Sequence, residues 1–110
     1  MKRTVIESPL KGKDCDYDSN RAYAKLCVRD SLKRGESPYA SHLFFDQPGI
    51  LDDTDTADRE LGIEAGLAWG EAAELVAVYT DRGISDGMRF GVDRHEKNGI
   101  PVEYRTLPKG

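Results

Sequence analysis

Short β-branched runs alternate along this chain with longer stretches in which apolar residues recur at helical spacing. Thr4 to Glu7 is such a run, closed by Ser8-Pro9, and it suits a buried first strand. From about Asp18 to Lys33 the spacing turns helical, with Asp18 or Ser19 as cap, Ala22, Leu26, Cys27 and Leu32 as apolar positions, and Gly35 as the stop. Pro38 to Phe45 mixes aromatic and small residues and runs into the turn Asp46-Gln47-Pro48-Gly49, so it reads as the second strand. Ile50 to Asp58 reads as loop, and Asp55 or Thr56 caps a second helix reaching about Glu71. Glu74 to Thr80 is the clearest strand. Its middle is apolar on both faces, as in a central parallel strand covered by helices on either side. Ser85 to Lys97 reads as a third helix, with Met88, Val92 and His95 on one stripe and Asn98-Gly99 at its end. Ile100 to Tyr104 is a last short strand, which Pro101 directs to an edge or a strand start.

The sum is β-α-β-α-β-α-β. It predicts one Rossmann-like three-layer α/β domain over residues 1–110, with a four-stranded parallel sheet and right-handed crossovers. Its 110 residues suffice to fold without metal or disulfide staples. With 38% hydrophobic and 33% charged residues, the chain is too apolar for disorder and too polar for a membrane protein. The net charge of -4 disfavours polymeric nucleic acid but leaves room for a small anion, because helix dipoles and individual lysines act locally. The basic start Met1-Lys2-Arg3 meets Glu7 and Ser8 too soon for a signal-peptide core, and no membrane span is present, so a cytoplasmic location is expected. Cys15 and Cys27 lack zinc spacing and are expected to be reduced.

In an open parallel sheet, ligands bind beyond the carboxyl ends of the strands. That rule puts weight on the loops Ser8 to Asp16, Asp46 to Asp55, and Asp81 to Gly87. In the last of these, Gly83 and Gly87 relieve the turn, Ser85 caps the following helix, and the helix's free N–H groups suit a phosphate or carboxylate beside Ile84, Asp86 and Met88. Such turns also recur where nothing binds. Ser8-Pro9-Leu10-Lys11-Gly12 adds backbone amides and a lysine charge. Asp46, with Asp52, Asp53, Asp55 and Asp58, offers acceptors for ribose hydroxyls, although capping accounts for most of these aspartates and the spacing fits no calcium loop.

Other patterns carry a plain reading beside a functional one. Arg21, Lys25, Arg29 and Lys33 line one helical face, either solvated or facing an acidic protein partner. Gly62, Gly66 and Gly70 recur every fourth residue and call for a close backbone neighbour, the domain itself ahead of a second subunit; Leu67 and Trp69 keep a homodimer or higher homo-oligomer in view. Ser41 and His42 are neighbours in the second strand, so they point to opposite faces and form no nucleophile-base pair. His95 reads as a helix-surface or partly buried residue. No metal site and no cofactor are expected.

Taken together, Ser8-Pro9-Leu10-Lys11-Gly12 and Ser85-Asp86-Gly87-Met88 resemble the nucleoside 2-deoxyribosyltransferase-like superfamily, which includes small members from bacteriophages. The resemblance implies a Rossmann-like sheet, frequent dimers, and a nucleoside or nucleotide ligand in the crevice defined above. It also implies a glutamate nucleophile a residue or a few beyond the glycine of the second motif. Here Gly87-Met88-Arg89-Phe90-Gly91-Val92 carries no carboxylate, and Asp93 and Glu96 lie farther along. Asp81 is the best placed substitute, as a water-activating group, ahead of Glu60 and Glu64.

The resulting expectation is a nucleotide-binding protein without strong catalysis, sequestering a nucleotide-derived signal if its setting is a phage. An N-glycoside hydrolase or deoxyribosyltransferase is the alternative, and a protein-interaction module the third reading.

Overall fold

A computed structural model describes residues 1–10 and 17–109. Its elements are β1 (Arg3–Glu7), α1 (Tyr17–Lys33), β2 (Ser37–Tyr39), α2 (Ser41–Phe44), α3 (Thr56–Gly70), β3 (Leu75–Tyr79), α4 (Asp86–Lys97) and β4 (Val102–Arg105). All four strands are parallel, in the order β2-β1-β3-β4. This is the parallel α/β sheet that the alternation of strand and helix signals predicts.

Strand periodicity divides the core into two layers. Val5 of β1 and Val76 and Val78 of β3 face α4, where they meet Met88 and Val92 together with Ile100. Ile6, Ala77 and Tyr79 point the other way, onto Tyr23 and Cys27 of α1 and onto Ala40. All five residues of β3 are buried, as its uninterrupted apolar run requires of a strand covered on both faces.

Three expectations need correction. The second strand is only Ser37–Tyr39, and Ser41–Phe44 turns into α2 instead of continuing to Phe45. A short run of aromatic and small residues fits either a strand or one helical turn. Here the turn packs Leu43 against the α1-side core and sets Phe44 edge-on to Phe45, with centroids 5.2 Å apart. The inward stripe of α1 is Asn20, Tyr23, Ala24, Cys27 and Ser31, while Ala22, Leu26 and Leu32 are exposed. The last strand is Val102–Arg105, beginning after Pro101 and ending on the buried Arg105.

In that cluster Arg105 is 6% exposed and donates to both Glu36 oxygens, at 2.8 and 2.5 Å, to Glu103 at 2.6 Å and to the Tyr79 hydroxyl at 3.3 Å. Tyr79 donates in turn to Asp30 at 2.7 Å. The glycine row of α3 packs within the molecule. A Cβ at Gly62 would meet Leu51, one at Gly66 would lie 2.9 Å from Ser41, and one at Gly70 would lie 2.2 Å from the His95 ring. His95 is buried, at 2% exposure, on the same α4 stripe as Met88 and Val92.

Candidate ligand-binding crevice

From β1 the chain crosses by α1 to β2 on one side, then returns by α3 to β3 on the other. Right-handed crossovers running in opposite directions put α1 and α3 on opposite faces and leave a crevice at the carboxyl ends of β1 and β3. Residues 8–10 and 80–85 follow these two strands.

Ser8 and Pro9 are buried and Leu10 is partly so, while Lys11 and Gly12 lie outside the described residues. The Leu10 carbonyl accepts from Asn20 Nδ2 at 3.0 Å, and Asn20 Oδ1 accepts from Arg82 at 2.9 Å. Arg82 also donates to Ser19 Oγ at 2.8 Å and lies 5.0 Å from the Tyr23 ring centroid. The two loop walls are thus joined through the first turns of α1.

Ser8 Oγ lies 3.1 Å from His42 Nε2. The premise that separated Ser41 from His42 on a strand does not hold, since both lie in α2, and the hydroxyl facing His42 is that of Ser8. Burial, with help from the Arg21 charge, pushes the His42 imidazole down to about 4, so the ring is neutral at physiological pH.

After β3, Asp81 is tied on two sides: it accepts from the Tyr23 hydroxyl at 2.6 Å and, through both oxygens, from the Leu107 N–H at 3.1 Å. Gly83 has φ +81°, a backbone conformation that favours glycine. Ser85 caps α4, its Oγ accepting from the Met88 N–H at 3.2 Å, and its own N–H points to the Met88 sulfur at 3.4 Å. Ile84, Asp86 and Gly87 are exposed around this amino terminus, whereas Met88 anchors in the core. A side chain at Gly87 would find room.

A carboxyl group from β1 lies beside α4. Glu7 pairs with Val78 in the sheet register and, with Val5, faces α4. A Cβ at Gly91 would lie 2.8 and 2.9 Å from its two carboxyl oxygens. Burial alone pushes this acid up to about 8. Sequence reasoning passed over both residues, because Glu7 reads as the polar end of a strand and Gly91 as a spacer. The available signal was an acid in phase with Val5, a core position.

The loop after β2 forms a separate region. Asp46 is buried beside Gly62 of α3, and burial followed by the nearby Asp53 charge pushes it up to about 6. A depression of about 500 Å³ lies along residues 47–54, bordered also by Tyr17, Arg21 and Asp58, and includes no residue of the Gly83 to Gly87 turn. Tyr17 donates to Asp53 at 3.1 Å across it. Arg21 therefore leaves the basic face of α1, where Lys25, Arg29 and Lys33 are exposed. Glu60 and Glu64 are exposed on α3. Among the described residues, no three His, Cys, Asp or Glu side chains are grouped to hold a metal ion, and no helix is long and apolar enough to cross a membrane.

A four-stranded parallel sheet with helices on both faces and a switch point between β1 and β3 defines a Rossmann-like α/β fold. The solved structure of a 2-deoxyribosyltransferase from the psychrotolerant bacterium Bacillus psychrosaccharolyticus superposes with a TM-score of 0.63 at 14% identity, covering 98% of this chain and 74% of that one. In sequence, the chain belongs to the family described as a domain of unknown function, DUF7768, whose model matches residues 2–105. No curated protein matches it in sequence.

Proposed function

We propose that this protein binds a nucleoside or nucleotide in the β1/β3 crevice, without strong turnover. The observation that carries the reading is the crevice itself: Ser8 to Leu10 on one wall, Asp81 to Met88 with the capped start of α4 on the other, in a fold shared with an enzyme named for deoxyribosyl transfer. The exposed amino terminus of α4 suits an anionic group, and Lys11 and Gly12 of the first loop belong to the same proposed site. Weak turnover follows from the lack of a carboxylate over Gly87 to Val92 of α4 and from the bonds that already hold Asp81.

Thermal shift and calorimetry against mono-, di- and cyclic nucleotides and the parent nucleosides test the proposal. Binding of at least one member is expected, and no stabilisation across the panel refutes it. Chromatography for free base decides the enzymatic alternative: base release that disappears in Asp81→Ala favours N-glycoside cleavage. A homodimer is proposed alongside, resting on Leu61 and Trp69, which are 56% and 66% exposed on α3. Light scattering showing a strict monomer refutes it.

A further inference from the structure

We propose that Glu7 is the residue with which the crevice reads its ligand: its carboxyl ends strand β1 at the switch point, lies against Gly91 of α4, and has no hydrogen-bond partner among the described residues. The inference deepens the proposed nucleoside site and rests on it. Two locally unfavourable choices meet at this contact. An acid continues the stripe on which Val5 serves the core, and a half-buried carboxyl without a protein partner costs stability. Opposite it the helix carries glycine, among the poorest residues for a helix interior, and only glycine leaves the carboxyl its place. Packing alone would favour an aliphatic residue at 7 and alanine at 91. Retaining both choices keeps a polar group at the edge of an otherwise apolar layer, partly open to solvent.

Among the described residues no ion pair offsets this acid. On β3 its register neighbour is Val78, on α4 the residues Asp86, Arg89, Asp93 and Arg94 are exposed, and burial raises its proton affinity. The group is therefore a neutral carboxylic acid at pH 7, with an O–H donor beside a C=O acceptor. Its complement is a planar group with an acceptor beside a donor, and within a nucleoside that is the amide or amidine edge of the base. The phosphate dianion has no donor, and the ribose diol, whose hydroxyls can donate and accept, is not planar.

The test is titration calorimetry of the full chain against a nucleoside panel, with ribose 5-phosphate as the ligand lacking a base. Glu7→Ala is expected to weaken nucleoside binding roughly tenfold at pH 7, the loss of two modest hydrogen bonds. Glu7→Gln keeps a donor beside an acceptor and is expected to stay within about threefold of wild type. Gly91→Ala, which leaves Glu7 intact but takes its place, is expected to weaken binding as Glu7→Ala does. Wild-type affinity should fall as pH rises from 7 to 9, and that of Glu7→Gln should not. Ribose 5-phosphate binding should be unchanged by any variant. If wild type binds nucleosides while Glu7→Ala and Gly91→Ala, folded by circular dichroism, bind them equally well, the role of Glu7 is refuted and the nucleoside site stands. A pH dependence that persists in Glu7→Gln refutes it too. If wild type binds no nucleoside, the site itself is refuted and this inference falls with it.

Discussion

Glu7→Gln offers a test of the crevice that needs no ligand. In the folded protein burial raises the Glu7 acid from 4.5 to about 8, whereas in the unfolded chain it ionises near its ordinary value. Between those pH values the native state holds a proton that the unfolded state has released, so stability must fall as pH rises through that window. Below 4.5 both states are protonated and there is no penalty; above about 8 the penalty is complete. Each tenfold difference in proton affinity is about 1.4 kcal/mol, which sets a ceiling of about 5 kcal/mol. Solvent reaches part of this carboxyl, so roughly half that value is expected. Glutamine has the same shape and no charge to lose. Urea unfolding of both proteins at pH 5, 6, 7, 8 and 9 therefore isolates the effect: the raised Asp46 and the lowered His42 titrate alike in both and cancel in the difference. The variant should gain about 2 kcal/mol relative to wild type from pH 5 to pH 9. A flat difference, or one of the opposite sign, would refute a buried neutral Glu7.

Gly70→Ala puts a methyl group 2.2 Å from the buried His95 ring, and overpacking should cost about 2 kcal/mol despite alanine's better helix propensity. Thermal melts would show it, and His95→Ala in the same chain should recover most of the loss. Arg105→Met leaves Glu36 without its cation and should cost about 3 kcal/mol in urea unfolding at pH 7. Arg105 first, then Ser31, hold the Glu36 carboxyl below its usual range, so this stability is present at neutral pH and lost as pH falls through the folded value. The acid limb of the stability profile should accordingly flatten in Arg105→Met. Ser85→Ala removes the cap of α4 and should cost about 1 kcal/mol, read by thermal unfolding.

The sheet was legible because its central strands are apolar on both faces and its helices carry their own punctuation. Asp55 and Ser85 cap where their positions imply, accepting from the N–H groups of Asp58 and Met88. The α2 turn was not legible, because four residues of mixed aromatic and small type hold too few periods to separate a helical turn from a strand. The inward face of α1 was misread for a related reason. Its buried positions include Asn20 and Ser31, polar residues that hydrogen-bond to Leu10 and Glu36 in the flanking loops and to Arg82 across the fold, so a search for apolar periodicity passes over them. Ser8 and His42 meet only because α2 turns the chain back toward the end of β1, and Glu7 meets Gly91 only once β1 and α4 are packed.

Helix α3 reverses the usual relation between hydropathy and position. Its inner face consists of Gly62, Gly66 and Gly70, while Leu61, Ile63 and Trp69 stand in solvent. A selection experiment guided by residue size would thus find its tolerant and intolerant sites exchanged. Leu61 and Ile63 should accept serine or lysine at little cost to the fold, while the addition of one methyl group at Gly66 or Gly70 would push the helix off the body it covers. For this helix, the map of what evolution can change is drawn by the absence of side chains.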